Sequence, residues 1–274
     1  MTESDLRSSH DRRSRHLAVA TAIALAAVLA ARMLGPTDLW HQTQPRTISY
    51  TVDMLVHGGS SWLLPVDFGG VPATKPPLVN WLATPFVAAL GRASELGHKM
   101  PSVLALAAMA AILARIGARL GSGTGWLAAL MCLSAYPFFK LGYLARPDMV
   151  LTAILLGAWW SATRLLLDDP PRRRTWQAVF WTCVVAVALD KGPVAVLPIL
   201  YVPVVARLVC GRWSAALRIG PLWALPALAV IAGYYAALWR LDPQHVYEVL
   251  WKREVLGRVT GDSPEVRPMR IWKD

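Results

Sequence analysis

Leu222–Trp239 is an apolar run without a single charge, and Leu17–Leu34 is another, interrupted only by Arg32 near its end. Runs of this length match the roughly 30 Å hydrocarbon core of a bilayer, which about 20 helical residues cross. Composition agrees: 55% of the 274 residues are hydrophobic and only 16% are charged, a low charge fraction for a soluble domain. The chain therefore reads as an all-α, polytopic membrane protein.

The net charge of +11 would suggest a nucleic-acid partner in a soluble protein. Here the excess gathers in short segments between apolar runs: Arg7, Arg12, Arg13 and Arg15; Arg115 and Arg119; Arg172–Arg174; Arg207, Arg212 and Arg218. Cytoplasmic loops collect Lys and Arg, and no basic-aromatic module accompanies the charge, so no nucleic acid is expected. Cys132, Cys183 and Cys210 lie in or beside apolar runs without metal-ligand spacing and read as packing residues. The first apolar run exceeds the ~7–15 residues of a cleaved signal, which makes it a signal anchor behind a basic cytoplasmic tail over residues 1–16.

Placing every arginine cluster inside orders the chain into about seven spans. They are Leu17–Leu34, Pro101–Ile116, Thr124–Phe139, Met149–Leu167, Thr175–Leu189, Val194–Val209 and Leu222–Trp239. Pro76–Leu90 is apolar but short, and spanning there would push Arg115 and Arg119 outside. It is expected to be a juxtamembrane helix within a polar external loop over residues 35–92. The expected organisation is a transmembrane domain over residues 17–240, followed by the start of a second large external loop over 241–274. Asp168 and Asp169 fall inside, beside Arg172–Arg174, as an ion-paired loop. Most tryptophans read as interfacial anchors.

The remaining charges collect outside. Lys75-Pro76-Pro77 reads as a helix start, where unpaired N–H groups and the helix dipole favour an anion. Lys75 is either a phosphate ligand there or a lysine snorkelling to headgroups. Asp148, in Arg146-Pro147-Asp148, is a functional candidate because a carboxylate at a span end is costly unless paired or wet; capping of the span is the alternative. Arg146 pairs with it or faces a phosphate. Asp190-Lys191-Gly192-Pro193 interrupts an apolar stretch, so Lys191 either meets a phosphate or pairs with Asp190. Asp53 and Asp67 are further carboxylates of the first loop.

Four motifs in order, Gln44-Pro45-Arg46, Lys75-Pro76-Pro77-Leu78, Arg146-Pro147-Asp148 and Lys191-Gly192, resemble the membrane-embedded GT-C glycosyltransferases of the protein mannosyltransferase and aminoarabinose-transferase group. Arg253–Gly261 is similar to that family's following loop. The resemblance implies a partial GT-C fold in a bacterial inner membrane, with a cytoplasmic N-terminus and external active loops. It implies transfer of a sugar from a polyprenyl-phosphate donor to a lipid or protein acceptor, and leaves open a divalent metal. Lys75, Arg46, Lys191 and Arg146 would stabilise the departing phosphate, and a carboxylate would take the acceptor's proton. The family's first-loop Asp is Thr43 here, beside Gln44, so Asp38, Asp53, Asp67 or Asp148 has to stand in. The chain also resembles only the N-terminal half of such an enzyme. A non-catalytic lipid-phosphate-binding relative is the alternative reading, and a transporter the third.

Overall fold

The computed structural model describes residues 3–34, 43–121, 123–136, 144–168 and 170–256. Asp38, Asp169, the end of the third expected span together with residues up to 143, and the tail beyond Leu256 lie outside the described residues. Nine helices carry the argument: α1 (Glu3–Leu34), α2 (Thr43–His57), α3 (Leu78–Leu90), α4 (Glu95–Gly117), α5 (Thr124–Ser134), α6 (Pro147–Thr163), α7 (Arg173–Lys191), α8 (Val196–Leu208) and α9 (Ala224–Leu241). Each of the seven stretches expected to span is helical over most of its described residues, with breaks at Ala135 and Val209, and the short stretch expected to lie at the surface contains α3. Among the described residues, four apolar helical stretches are long enough to cross a membrane: Glu95–Gly117, Pro147–Asp168, Arg173–Leu208 and Pro221–Leu241.

Arg173–Leu208 is a pair of antiparallel helices rather than one. The chain reverses at Gly192, whose φ of 54° and ψ of −105° are open to glycine at no steric cost. Contacts at both ends fix the reversal. Near its start, α7 meets the segment after α8, with Gln177 donating to the Arg218 carbonyl (2.8 Å) and Trp181 to that of Ile219 (3.1 Å). Past the turn, Tyr201 of α8 returns to Thr163 at the end of α6 (2.9 Å).

The charged segments divide between two ends as the arginine pattern requires. At one end, Asp168 pairs with Arg119 (2.6 Å) and Arg164 (3.2 Å), not with the Arg172–Arg174 run expected from its neighbourhood in sequence. Helix packing brings Arg119 across from α4, and the π-turn Arg164–Asp168 reaims the carboxylate. That wide turn leaves the Leu166 carbonyl free to accept from Arg218 (2.8 Å), as wider turns interrupt the usual ladder. At the opposite end lie α2, α3, the start of α6, the α7–α8 turn and the end of α9. His245 there bonds the Ala73 carbonyl (3.0 Å), and Tyr234 donates to that of Leu63 (3.2 Å).

α6 is the shared wall of two cores. Leu151, Leu155 and Ala158 pack with Phe180, Val184 and Val202 of α7 and α8. Met149 and Val150, at its start, pack with Leu106 and Met109 of α4 and Leu133 of α5. α9 instead leaves Leu225, Leu228 and Val230 outward, the pattern of a helix covered by lipid.

α4 and α5 touch backbone to backbone. A Cβ on Gly117 would sit 2.7 Å from the Gly125 Cα, and one on Gly125 would overlap the Ala114 carbonyl oxygen. Small residues permit such approaches between membrane helices. Gly125→Val is therefore expected to force the helices apart at a cost of about 1–3 kcal/mol. Thermal unfolding in detergent, followed by tryptophan fluorescence, should show a clear fall in Tm; an unchanged transition would contradict the contact.

Candidate functional site

The segment Thr43–Arg46, expected as part of a polar loop, is the first turn of α2. Thr at the start and Pro45 in the first turn are ordinary helix-opening residues. Gln44 is 1% exposed, and its Oε1 accepts from the backbone N–H of Ala145 (3.1 Å), tying α2 to the approach to α6. From the same helix Arg46, Thr47 and Tyr50 face a polar cavity of about 360 Å³. Burial, aided by Asp67 and opposed by Arg46, raises the Tyr50 phenol above its ordinary value. It therefore stays a hydrogen-bond donor.

Asp53 and Asp67 organise the loop instead of lining this cavity. Asp53 accepts from the Val66 N–H (3.0 Å) and meets the His57 Nδ1 (2.7 Å). Asp67 accepts from the N–H groups of Gly69 and Val71, both at 2.9 Å, and lies 3.7 Å from Arg46. Asx turns of this kind satisfy the backbone locally. They shape the short bridge between Val66 and Pro72 that leads to Lys75. Asn80, in the first turn of α3, then ties α3 to α2 by donating to the Thr47 carbonyl (2.6 Å) and Thr51 Oγ1 (2.9 Å).

The opposite wall comes from α6 and α7. Arg146 is extended at the N-cap, Pro147 opens α6, and Asp148 sits in its first turn. Ser102 of α4 holds this approach by bonding the carbonyls of Leu144 (2.9 Å) and Arg146 (3.3 Å). Asp148 takes a hydrogen bond from Lys191 (2.6 Å) across 43 residues of sequence. Its second oxygen lies 3.2 Å from Arg146 Nε, which is not aligned for a hydrogen bond, so that contact is electrostatic. Lys191 thus hydrogen-bonds Asp148 and not its neighbour Asp190: consecutive residues of a helix leave it in directions about 100° apart. Asp190 is 2% exposed, and neither carboxylate oxygen meets a hydrogen-bond donor of the protein.

Arg46, Lys75, Arg146, Asp148 and Lys191 are therefore brought to one cavity, with Gln44 behind its wall, while Asp53 and Asp67 are not. Thr43 opens the helix that supplies Arg46. Tyr50, Asn80 and Asp190 also line the cavity, and sequence reasoning did not assign them to it. The i, i+1, i+4 spacing of Arg46, Thr47 and Tyr50 would have revealed a helical face had the segment been read as helix. Four cations against two carboxylates give the lining an anion-binding balance. Among the described residues, no three His, Cys, Asp or Glu side chains gather as a metal site would need.

A second cavity of about 670 Å³ adjoins the first and shares Thr74, Lys75, Pro76 and Lys191 with it. Its other walls are apolar, from Ala188, Val194, Leu197, Ile231, Tyr235, Val246 and Leu250 among others. Trp81 lines neither cavity: it donates to the Trp62 carbonyl (2.8 Å) and packs edge-on against Tyr234.

Comparison with known proteins follows this geometry. The family model described as dolichyl-phosphate-mannose-protein mannosyltransferase matches residues 74–235, more than half of the chain and all of the polar cavity's lining except the residues from α2. No curated protein matches. Among solved structures, the crystal structure of ArnT from Cupriavidus metallidurans bound to undecaprenyl phosphate superposes with a TM-score of 0.70 at 18% identity, over 86% of this chain. That superposition shows a common fold. The present chain spans 44% of the length of that ArnT chain.

The Lys191–Asp148 pair predicts a measurable coupling. In a double-mutant cycle of Lys191→Met and Asp148→Asn, thermal unfolding should return an interaction of about 0.5–3 kcal/mol. Purely additive effects would mean that the two side chains do not meet.

Proposed function

Because the chain belongs to the dolichyl-phosphate-mannose-protein mannosyltransferase family of membrane GT-C glycosyltransferases, we propose that this site transfers a sugar from a polyprenyl-phosphate donor to an acceptor hydroxyl. One observation carries the reading: an apolar cavity and a polar cavity meet at Lys75 and Lys191. A polyprenyl-phosphate sugar has the same three parts in order. Its prenyl chain suits the apolar cavity, its phosphate the two lysines, and its sugar the polar cavity. The undecaprenyl phosphate bound to ArnT has the prenyl chain and phosphate of such a donor without its sugar, and supports the reading.

The chemistry follows from where charge develops. The acceptor oxygen attacks the anomeric carbon as the bond to the phosphate oxygen breaks, and that electron pair leaves with the phosphate. The barrier falls if cations already face the departing oxygen. Lys75 and Lys191 stand at the cavity junction, with Arg46 and Arg146 on the polar side. Asp148 holds Lys191 in place before the donor arrives, so the ammonium needs little reorganisation to meet the phosphate. Tyr50 and Asn80 are placed to orient sugar hydroxyls. The site lies at the end opposite the arginine-rich segments. The positive-inside bias therefore supports an external, periplasmic active face, a cytoplasmic N-terminus and an inner-membrane location. The same reading keeps residues 17–240 as the transmembrane domain and puts the segment 241–256 on the external side.

The test is release of labelled sugar from a polyprenyl-phosphate sugar by purified protein in liposomes. Lys75→Ala is expected to lower kcat by roughly 10²–10³-fold without loss of folded protein. Lipid-phosphate binding without turnover in the wild type would replace this reading with that of a binding protein. Vesicle uptake of the ligand would make it a transporter.

A further inference from the structure

Two carboxylates line the polar cavity, and they are not equivalent. Asp148 already holds Lys191 at 2.6 Å and Arg146 at 3.2 Å, so both of its oxygens face cations. Asp190 is 2% exposed with neither oxygen paired to a protein donor. A buried, unpartnered carboxylate is among the costliest groups a fold can hold, and such groups in native structures call for a functional explanation. Its position in the helix is also adverse. Asp190 is the penultimate residue of α7, where the helix dipole disfavours negative charge. Lys191 and Lys75 attract its charge from a distance, but no protein group donates to it.

We propose that Asp190 is the catalytic base, the group that takes the proton from the acceptor hydroxyl. This rests on the transfer reading above and assigns the one role that reading leaves empty. The acceptor O–H donates to a free Asp190 oxygen; its proton moves to that oxygen as the acceptor oxygen bonds to the anomeric carbon. The anomeric carbon–oxygen bond breaks, and the lipid phosphate departs with the electron pair toward Lys75 and Lys191. Positive charge at the leaving side and a free proton acceptor in the same cavity are the two ends of one displacement. Burial adds selectivity: a carboxylate this enclosed meets a group held in the cavity rather than bulk water, which limits hydrolysis of the donor.

The assignment separates Asp190 from Asp148, which serves as a positioning residue for Lys191. The experiment uses full-length protein in liposomes with a labelled polyprenyl-phosphate sugar and a hydroxyl acceptor. Asp190→Asn should lower kcat by roughly 10²–10⁴-fold, leave polyprenyl-phosphate binding unchanged, and raise Tm because the unpaired charge is gone. In Asp190→Ala, azide should restore donor cleavage and yield a glycosyl azide detectable by mass spectrometry, since azide carries no proton to remove. Wild-type turnover by Asp190→Asn would overturn the proposal. So would loss of lipid-phosphate binding, or failure of azide to rescue the alanine variant. An inert wild type would overturn the transfer reading itself, and this assignment with it.

Discussion

The Lys191–Asp148 ion pair is the constraint on which the site depends. It joins the first turn of α6 to the turn between α7 and α8, two places where a membrane helix ends and charge becomes tolerable. Both side chains are half-buried, so the attraction acts in a medium far less screening than water while each charge keeps some access to solvent. Every other part of the cavity is arranged around this link. Ser102 fixes the backbone that leads into α6, Gly192 lets α7 stop where Lys191 can reach across, and Gln44 brings α2 against the same approach. Lys75 then arrives from the loop organised by Asp53 and Asp67.

The site balances opposed charges without neutralising them. Arg46, Lys75, Arg146 and Lys191 outnumber Asp148 and Asp190, leaving room for an anion with more than one negative charge. Yet three of these cations are not loose. Arg46 is near Asp67, and Arg146 and Lys191 are near Asp148, so each is oriented before any ligand enters. Preorganisation of this kind is what makes fixed charges effective on a developing phosphate. The adjoining apolar cavity gives direction to the arrangement, which is apolar at one end and cationic at the other.

Much of this was legible because it is local. Apolar runs such as Leu222–Trp239 and the arginine clusters between them declare helices and sidedness from a few neighbouring residues. Four short motifs, in order, were enough for the family. What sequence could not disclose depended on pairings across long separations. Asp148 and Lys191 are neighbours only because α6 packs on α7, and Asp168 finds Arg119 only because α4 lies alongside. The nearer partners in sequence, Asp190 for Lys191 and Arg172–Arg174 for Asp168, were the wrong ones. α2 misled for a different reason. Its inner face is aimed at a polar cavity, so Arg46, Thr47 and Tyr50 occupy positions where a core-facing helix would show apolar residues. Thr43 and Pro45 announced a helix start, but the polar face read as a loop.

The single hydrogen bond from Ala145 to Gln44 spans 101 residues, and that distance has a consequence during synthesis. α2 leaves the ribosome early, but Asn80 follows it by tens of residues, Ala145 by a hundred, and Lys191 later still. Closing long loops is slow compared with forming a helix, so α2 has to wait at the membrane surface with its polar face unpaired. The wall made first is therefore the wall placed last. The polar cavity is complete only once the α7–α8 turn has been made and Lys191 stands across from Asp148.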